Sequence, residues 1–184
     1  MTKPASNPTT VLIVPGLYDS GPDHWQTHWQ KENPPYHRIQ QKEWAAPKCA
    51  DWVETIECAV VDHGENCILV GHSSGSIAIV HWGLQTRMRV RGALLVAPSD
   101  AEAVSYPAGP TGFDPVPLQR LPFRSTVIAS TNDKYVSLER ARAFADAWGS
   151  QLVELGPHGH ISTADGFGRW PDGQVFLQEL LLGS

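Results

Sequence analysis

Three residue types in one order carry the chemical signal of this chain: a serine framed by glycines in Gly71-His72-Ser73-Ser74-Gly75, then Asp133, then His160. A serine hydroxyl is a weak nucleophile and needs a histidine to take its proton. That histidine needs a carboxylate to fix its tautomer and stabilise the imidazolium. Combined, the three perform acyl transfer, with the serine attacking an ester or amide carbonyl. The Gly71-x-Ser73-x-Gly75 spacing has a steric reason. A nucleophile on a strained turn between strand and helix needs neighbours almost free of side chain, so that the two chains can pass. Ser73 is then the tip, Ser74 opens the helix with its backbone N–H facing the developing oxyanion, and Ser76 is structural.

Such a turn requires a buried strand before it and a helix after it, and the sequence supplies both. Cys67-Ile68-Leu69-Val70 is a continuous apolar run, and Ile77, Ala78, Val80, His81 and Leu84 follow at helical spacing. Thr10–Val14, Ala93–Val96 and Thr126–Ala129 are runs of the same kind, with His37–Gln41 and Gln151–Leu155 as weaker strands. Uninterrupted apolar runs suit strands covered on both faces. Helical periodicity marks Trp52 to Val60, Leu138 to Trp148 and about Asp172 to Leu182, while Ser20 ahead of Pro22 and Asp23 reads as a helix start. The alternation predicts one three-layer α/β/α domain over residues 1–184, with a mostly parallel sheet of about six strands and no large lid domain. Residues 1–9 are expected to be a flexible N-terminus.

Asp133 falls just past the strand at Thr126–Ala129, and His160 just past the one at Gln151–Leu155. Carboxyl ends of parallel strands share one sheet edge, so Ser73, Asp133 and His160 can converge there. His160, between Gly159 and Ile161, suits a partly buried imidazole better than His158, which follows Pro157. Asp100, after an earlier strand, is the reserve acid. The turn Pro15-Gly16-Leu17-Tyr18 after the first strand offers the second oxyanion N–H, assigned to Leu17. Tyr18 and His72 are candidate substrate contacts. Trp25 is a weaker one, better explained by packing.

The segment 98–122 holds Pro98, Pro107, Pro110, Pro115, Pro117 and Pro122, too many for a helix or central strand. It is a long loop near the site, either a wall of the pocket or a surface excursion. A net charge of -5, with Arg87, Arg89 and Arg91 the only basic cluster, argues against nucleic acid or an anionic membrane as main partner. Cys49, Cys58 and Cys67 are odd in number and lack metal or disulfide spacing, so buried reduced thiols and a cytoplasmic location are expected. His24 and His28 lie one helical turn apart, but Trp25 stands where a zinc-binding HExxH needs its glutamate. Neither metal nor cofactor is expected, and the partner is a small-molecule ester or amide.

PGLYDSGPDHWQTHW, GHSSGS, ASTNDKYVS and GHISTADGFGRWPDG together resemble the small α/β-hydrolases of the retinoblastoma-binding-protein-nine and YdeN type, over about Val11 to Gly173. The resemblance implies a single α/β-hydrolase domain and a triad that falls on Ser73, Asp133 and His160. It also implies activity on esters or small amides. Two positions depart from the family pattern: Lys134 replaces the proline that commonly follows the acid, and Ser162 the asparagine that commonly follows His-Ile. The rival reading is a non-catalytic interaction module that keeps the hydrolase fold, but a scaffold gives no reason for a complete triad in order.

Overall fold

A computed structural model describes residues 8–182 of the chain. Six parallel strands form one sheet in the order β2-β1-β3-β4-β5-β6. They are β1 (Thr10–Val14), β2 (Tyr36–Arg38), β3 (Cys67–His72), β4 (Gly92–Val96), β5 (Arg124–Ala129) and β6 (Gln151–Glu154). The helices are α1 (Trp25–Glu32), α2 (Cys49–His63), α3 (Ser74–Gln85), α4 (Leu138–Trp148) and α5 (Pro171–Leu182). Of the expected flexible residues 1–9, only the last two fall within the described chain, and residues 183–184 also lie outside it.

Period-two alternation within each buried strand splits the core in two. Leu12, Leu69, Leu95 and Val127 face one way and pack with Trp52 and Ile56 of α2, Ile79 of α3 and Phe144 of α4. Val11, Ile13, Val70 and Leu94 face the other way and pack with Trp25 and Trp29 of α1 and Leu177 and Leu180 of α5. The apolar runs are therefore continuous because both faces are covered, as a parallel sheet requires. Strand order reverses beside β1, where α1 lies on one face and α2 on the other. That switch point opens a crevice at the carboxyl ends of β1 and β3.

Three details differ from the sequence reading. β2 runs over Tyr36–Arg38 rather than His37–Gln41, because only three of its residues pair with β1 at the sheet edge. α1 starts at Trp25, not near Ser20: His24 is its N-cap, its ring accepting the Gln26 N–H at 3.2 Å. Ser20 instead bonds the Gln26 side chain at 2.6 Å, and Gln26 in turn donates to the Val14 and Val70 carbonyls. Cys58 is exposed rather than buried, since Ile56 and Val60 take the inward face of α2; Cys49 and Cys67 are buried.

Close approach explains the elbow glycines. A Cβ on Gly75 would lie 2.3 Å from the Val14 carbonyl oxygen and 2.4 Å from that of Pro15. One on Gly71 would lie 2.7 Å from Cα of Ser76. Backbone atoms cannot yield as a flexible side chain can, so Gly75→Ala is expected to destabilise the fold by about 1–3 kcal/mol or more. A lowered urea midpoint at unchanged slope is the readout; an unchanged midpoint would contradict the tight β1–α3 contact.

Candidate active site

β3 ends at His72 and α3 begins at Ser74, leaving Ser73 alone to reverse the chain. It does so at φ 57° and ψ -128°, a conformation that strains any residue with a side chain. The strain is held by the surroundings. The Ser73 N–H donates to Val96 of β4 at 3.0 Å, and Gly16 packs so close that its Cβ would be 2.8 Å from Cβ of Ser73. Ser76 behaves as the structural residue expected, its hydroxyl donating to the Val96 carbonyl at 3.2 Å.

Asp133 and His160 converge on this tip. Ser73 Oγ is 2.9 Å from His160 Nε2, and His160 Nδ1 is 2.8 Å from Asp133 Oδ2. The Asp133 side chain has no solvent exposure and that of His160 only 10%. Asp133 turns back on its own loop, its other oxygen accepting the Tyr135 N–H at 2.8 Å. The acid loop and the histidine loop are laced together. Asn132 Oδ1 accepts from Ser130 Oγ at 2.9 Å and from the Gly159 N–H at 2.7 Å, while Ser130 Oγ accepts the His158 N–H at 2.9 Å. His158 itself is exposed, with its ring against Phe167. Asp100, the reserve acid, pairs with Arg140 at 3.3 Å instead of reaching the histidine.

A cavity of about 490 Å³ opens over the three residues. Leu17, Tyr18, His72 and Ser74 all line it, whereas Trp25 is fully buried and does not. Trp25 acts from behind, its indole donating to the Ile161 carbonyl at 3.0 Å. The Tyr18 N–H is taken by the Trp44 carbonyl at 2.9 Å, which leaves the Leu17 N–H as the amide that precedes it on the rim. Ser74 opens α3, so its N–H has no acceptor within the helix. The proline-rich loop takes part in the cavity and in the core rather than making a surface excursion. Ser99 and Pro107 line the cavity, and Tyr106 bonds the Ser74 hydroxyl at 2.9 Å. Beyond them Phe113, Val116 and Leu121 are buried in the core.

A family model described as serine hydrolase matches residues 11–179. The chain belongs to the serine hydrolase family. A solved structure described as a YdeN-like hydrolase from Pectobacterium atrosepticum is 35% identical, with a TM-score of 0.84 over 94% of this chain and 90% of that one. The ydeN product of Bacillus subtilis shares the fold at 22% identity, with a TM-score of 0.71 over 95% and 99% of the two chains. The carboxylesterase CesB from Bacillus subtilis shares it at 15% identity, with a TM-score of 0.69 over 98% and 86%. A search of curated protein sequences finds no match.

In this serine hydrolase the sequence reading missed two residues of the site. Ser99 Oγ lies 2.8 Å from Ser73 Oγ. Asp165 Oδ2 accepts the His160 N–H at 3.0 Å and the Ser162 hydroxyl at 2.6 Å. The Ser-x-x-Asp spacing at 162–165 is a capping-box signature, so this one was open to detection. The two departures from the family pattern thus acquire roles. Ser162 joins the clamp on His160, and the Lys134 ammonium sits 4.8 Å from the centroid of Tyr135, whose ring packs edge-on against His160. Among the described residues no group of three or more His, Cys, Asp or Glu is placed to hold a metal ion. Nor is any helix of the described chain long and apolar enough to cross a membrane.

Two further histidines pack behind His160. His72 Nε2 donates to the His160 carbonyl at 2.9 Å, and the His72 ring centroid is 4.8 Å from that of His24. Burial pushes His24 down to about 3, with the Arg38 guanidinium adding to the effect; burial likewise holds His72 well below the usual histidine range. Both stay neutral in the fold but take up protons in the unfolded chain near the ordinary value of 6.5. Stability is therefore full above that pH and lost below it, by about 1.4 kcal/mol per pH unit for each histidine. His24→Asn keeps a capping side chain. Between about pH 7 and about pH 5 its urea midpoint is expected to fall less steeply than that of the wild type. Equal slopes would refute the buried neutral histidine.

Proposed function

We propose that this serine hydrolase cleaves carboxylic esters or small amides through an acyl-enzyme on Ser73, with His160 as general base and acid and Asp133 orienting it. The observation that carries the reading is the unbroken hydrogen-bonded chain from Ser73 Oγ through both ring nitrogens of His160 to the buried Asp133 carboxylate. A carboxylate oxygen accepts, so His160 Nδ1 holds the hydrogen and Nε2 presents a lone pair to the serine proton. As Oγ adds to the carbonyl carbon, that proton passes to Nε2, and the imidazolium then returns it to the leaving alcohol or amine. Water repeats the sequence on the acyl-enzyme and releases the acid. The oxyanion is assigned to the Leu17 and Ser74 N–H groups, donors already in place before charge develops.

The cavity's volume falls in the range of small-molecule sites, which favours short or partly exposed substrates over long lipid chains. The likeness of its fold to a carboxylesterase supports an ester as the first class to assay. We place the enzyme in the cytoplasm on its odd set of unpaired cysteines.

A fluorophosphonate probe is expected to label Ser73 of the folded enzyme and to leave Ser73→Ala unlabelled. On a panel of aryl esters of graded acyl length, Ser73→Ala should lose activity on the order of 10⁶-fold and Asp133→Asn about 10⁴-fold, both folding normally. No labelling of the folded wild type, or near-full activity in either variant, would sink the proposal.

A further inference from the structure

Ser99 is 2% exposed, and its hydroxyl lies 2.8 Å from the oxygen of Ser73. A buried hydroxyl requires a partner, and here the partner is the reacting atom itself. The direction of that bond follows from counting protons. The hydrogen on His160 Nδ1 faces Asp133, so Nε2 is an acceptor and the single Ser73 proton points to it. Ser73 Oγ has no second hydrogen to offer. The Ser99 O–H must therefore donate into an Oγ lone pair.

We infer that Ser99 is a fixed hydrogen-bond donor to the nucleophile, holding Ser73 Oγ on the line to His160 and stabilising the negative charge it gathers as its proton leaves. This rests on the reading of Ser73 as nucleophile and adds a fourth side chain to the machinery. During acylation the bond between Oγ and the carbonyl carbon forms, the Ser73 O–H bond breaks and the proton goes to His160 Nε2. Ser99 keeps its own proton throughout. Once acylated, Oγ is an ester oxygen and a weaker acceptor, so the bond loosens. It strengthens again when water expels Oγ from the tetrahedral intermediate. A donor whose bond is stronger in the transition states than in the resting and acylated states speeds both steps.

Local structure makes the donor rigid. Ser99 follows β4 on a segment anchored at both ends, by the Ala97 N–H to Ile128 at 2.9 Å and by the Asp100 N–H to Tyr135 at 2.9 Å. The Asp100 side chain is itself held by Arg140. The reserve acid thus serves the site by fixing its neighbour.

The test compares Ser99→Ala, Ser99→Thr and Ser99→Cys in the intact enzyme on an aryl ester, with thermal unfolding as the control for folding. Ser99→Ala is expected to lower kcat and the fluorophosphonate labelling rate by about ten- to a hundredfold at little-changed KM. Ser99→Thr, which keeps the hydroxyl, should recover most of the loss. Should the alanine variant not fold, Ser99→Cys, a weak donor of similar size, must show the fall in kcat at constant KM. The inference is overturned by an Ala variant within twofold of wild type, by an effect on KM alone, or by a Thr variant as slow as Ala. Loss of the underlying reading looks different: Ser73→Ala would then remain active, whereas an inactive Ser73→Ala beside an unimpaired Ser99→Ala sinks only the role of Ser99.

Discussion

The positive φ of Ser73 is the constraint on which the rest of the site depends. A serine in that conformation is strained by about 1–3 kcal/mol, and it persists only where the surroundings over-determine it. Here β4 holds its N–H, Gly16 presses on its Cβ, and α3 comes within carbonyl contact of β1 at Gly75. Sheet packing thus stores the distortion that lifts the hydroxyl out of the strand end. A looser contact between β1 and α3 would let the turn relax and drop the hydroxyl out of reach of His160.

A raised serine is useful only if its base stands opposite it, and the two loops that supply base and acid come from neighbouring strands, β5 and β6. Their relative position is set less by the Asp133–His160 bond than by backbone and amide bonds around it. Asn132 and Ser130 tie one loop to the other, and Asp165 and His72 grip the two sides of the His160 peptide. Gly159, at φ 57°, allows Asp165 so near that a Cβ would fall 1.9 Å from its carboxylate oxygen. His160 is therefore fixed from its main chain, leaving its ring nitrogens for Ser73 and Asp133.

The same packing sets the electrostatics. His24 and His72 are too deeply placed to hold a charge, so the rings behind His160 stay neutral when, in the proposed mechanism, His160 becomes an imidazolium. A second cation there would oppose proton transfer from the serine. On the proposed mechanism, burial of these rings serves that transfer while making the fold sensitive to acid. Asp19, on the cavity wall, has its charge met by Arg38, and Asp165 gives Oδ2 to peptide and hydroxyl donors.

Ser73, Asp133 and His160 were legible in the sequence because their cues are local: glycines around the serine, and an acid and a histidine each just beyond an apolar run. The layer architecture was legible for the same reason, since a strand buried on both faces must be apolar throughout. Boundaries at the sheet edge were not, because β2 is as long as its pairing with β1, and the start of α1 is decided by which side chain reaches the first free N–H. Ser99 was out of reach in principle. Nothing in Ala97-Pro98-Ser99-Asp100 distinguishes the hydroxyl that touches Ser73 from the carboxylate beside it, and the sequence reading favoured the carboxylate. By itself the sequence determined the candidate groups Ser73, Asp133 and His160 and their order, which follow from residue type and spacing. Only the tertiary structure decided which neighbours hold those groups, because contacts across strands depend on register and packing that no single segment encodes.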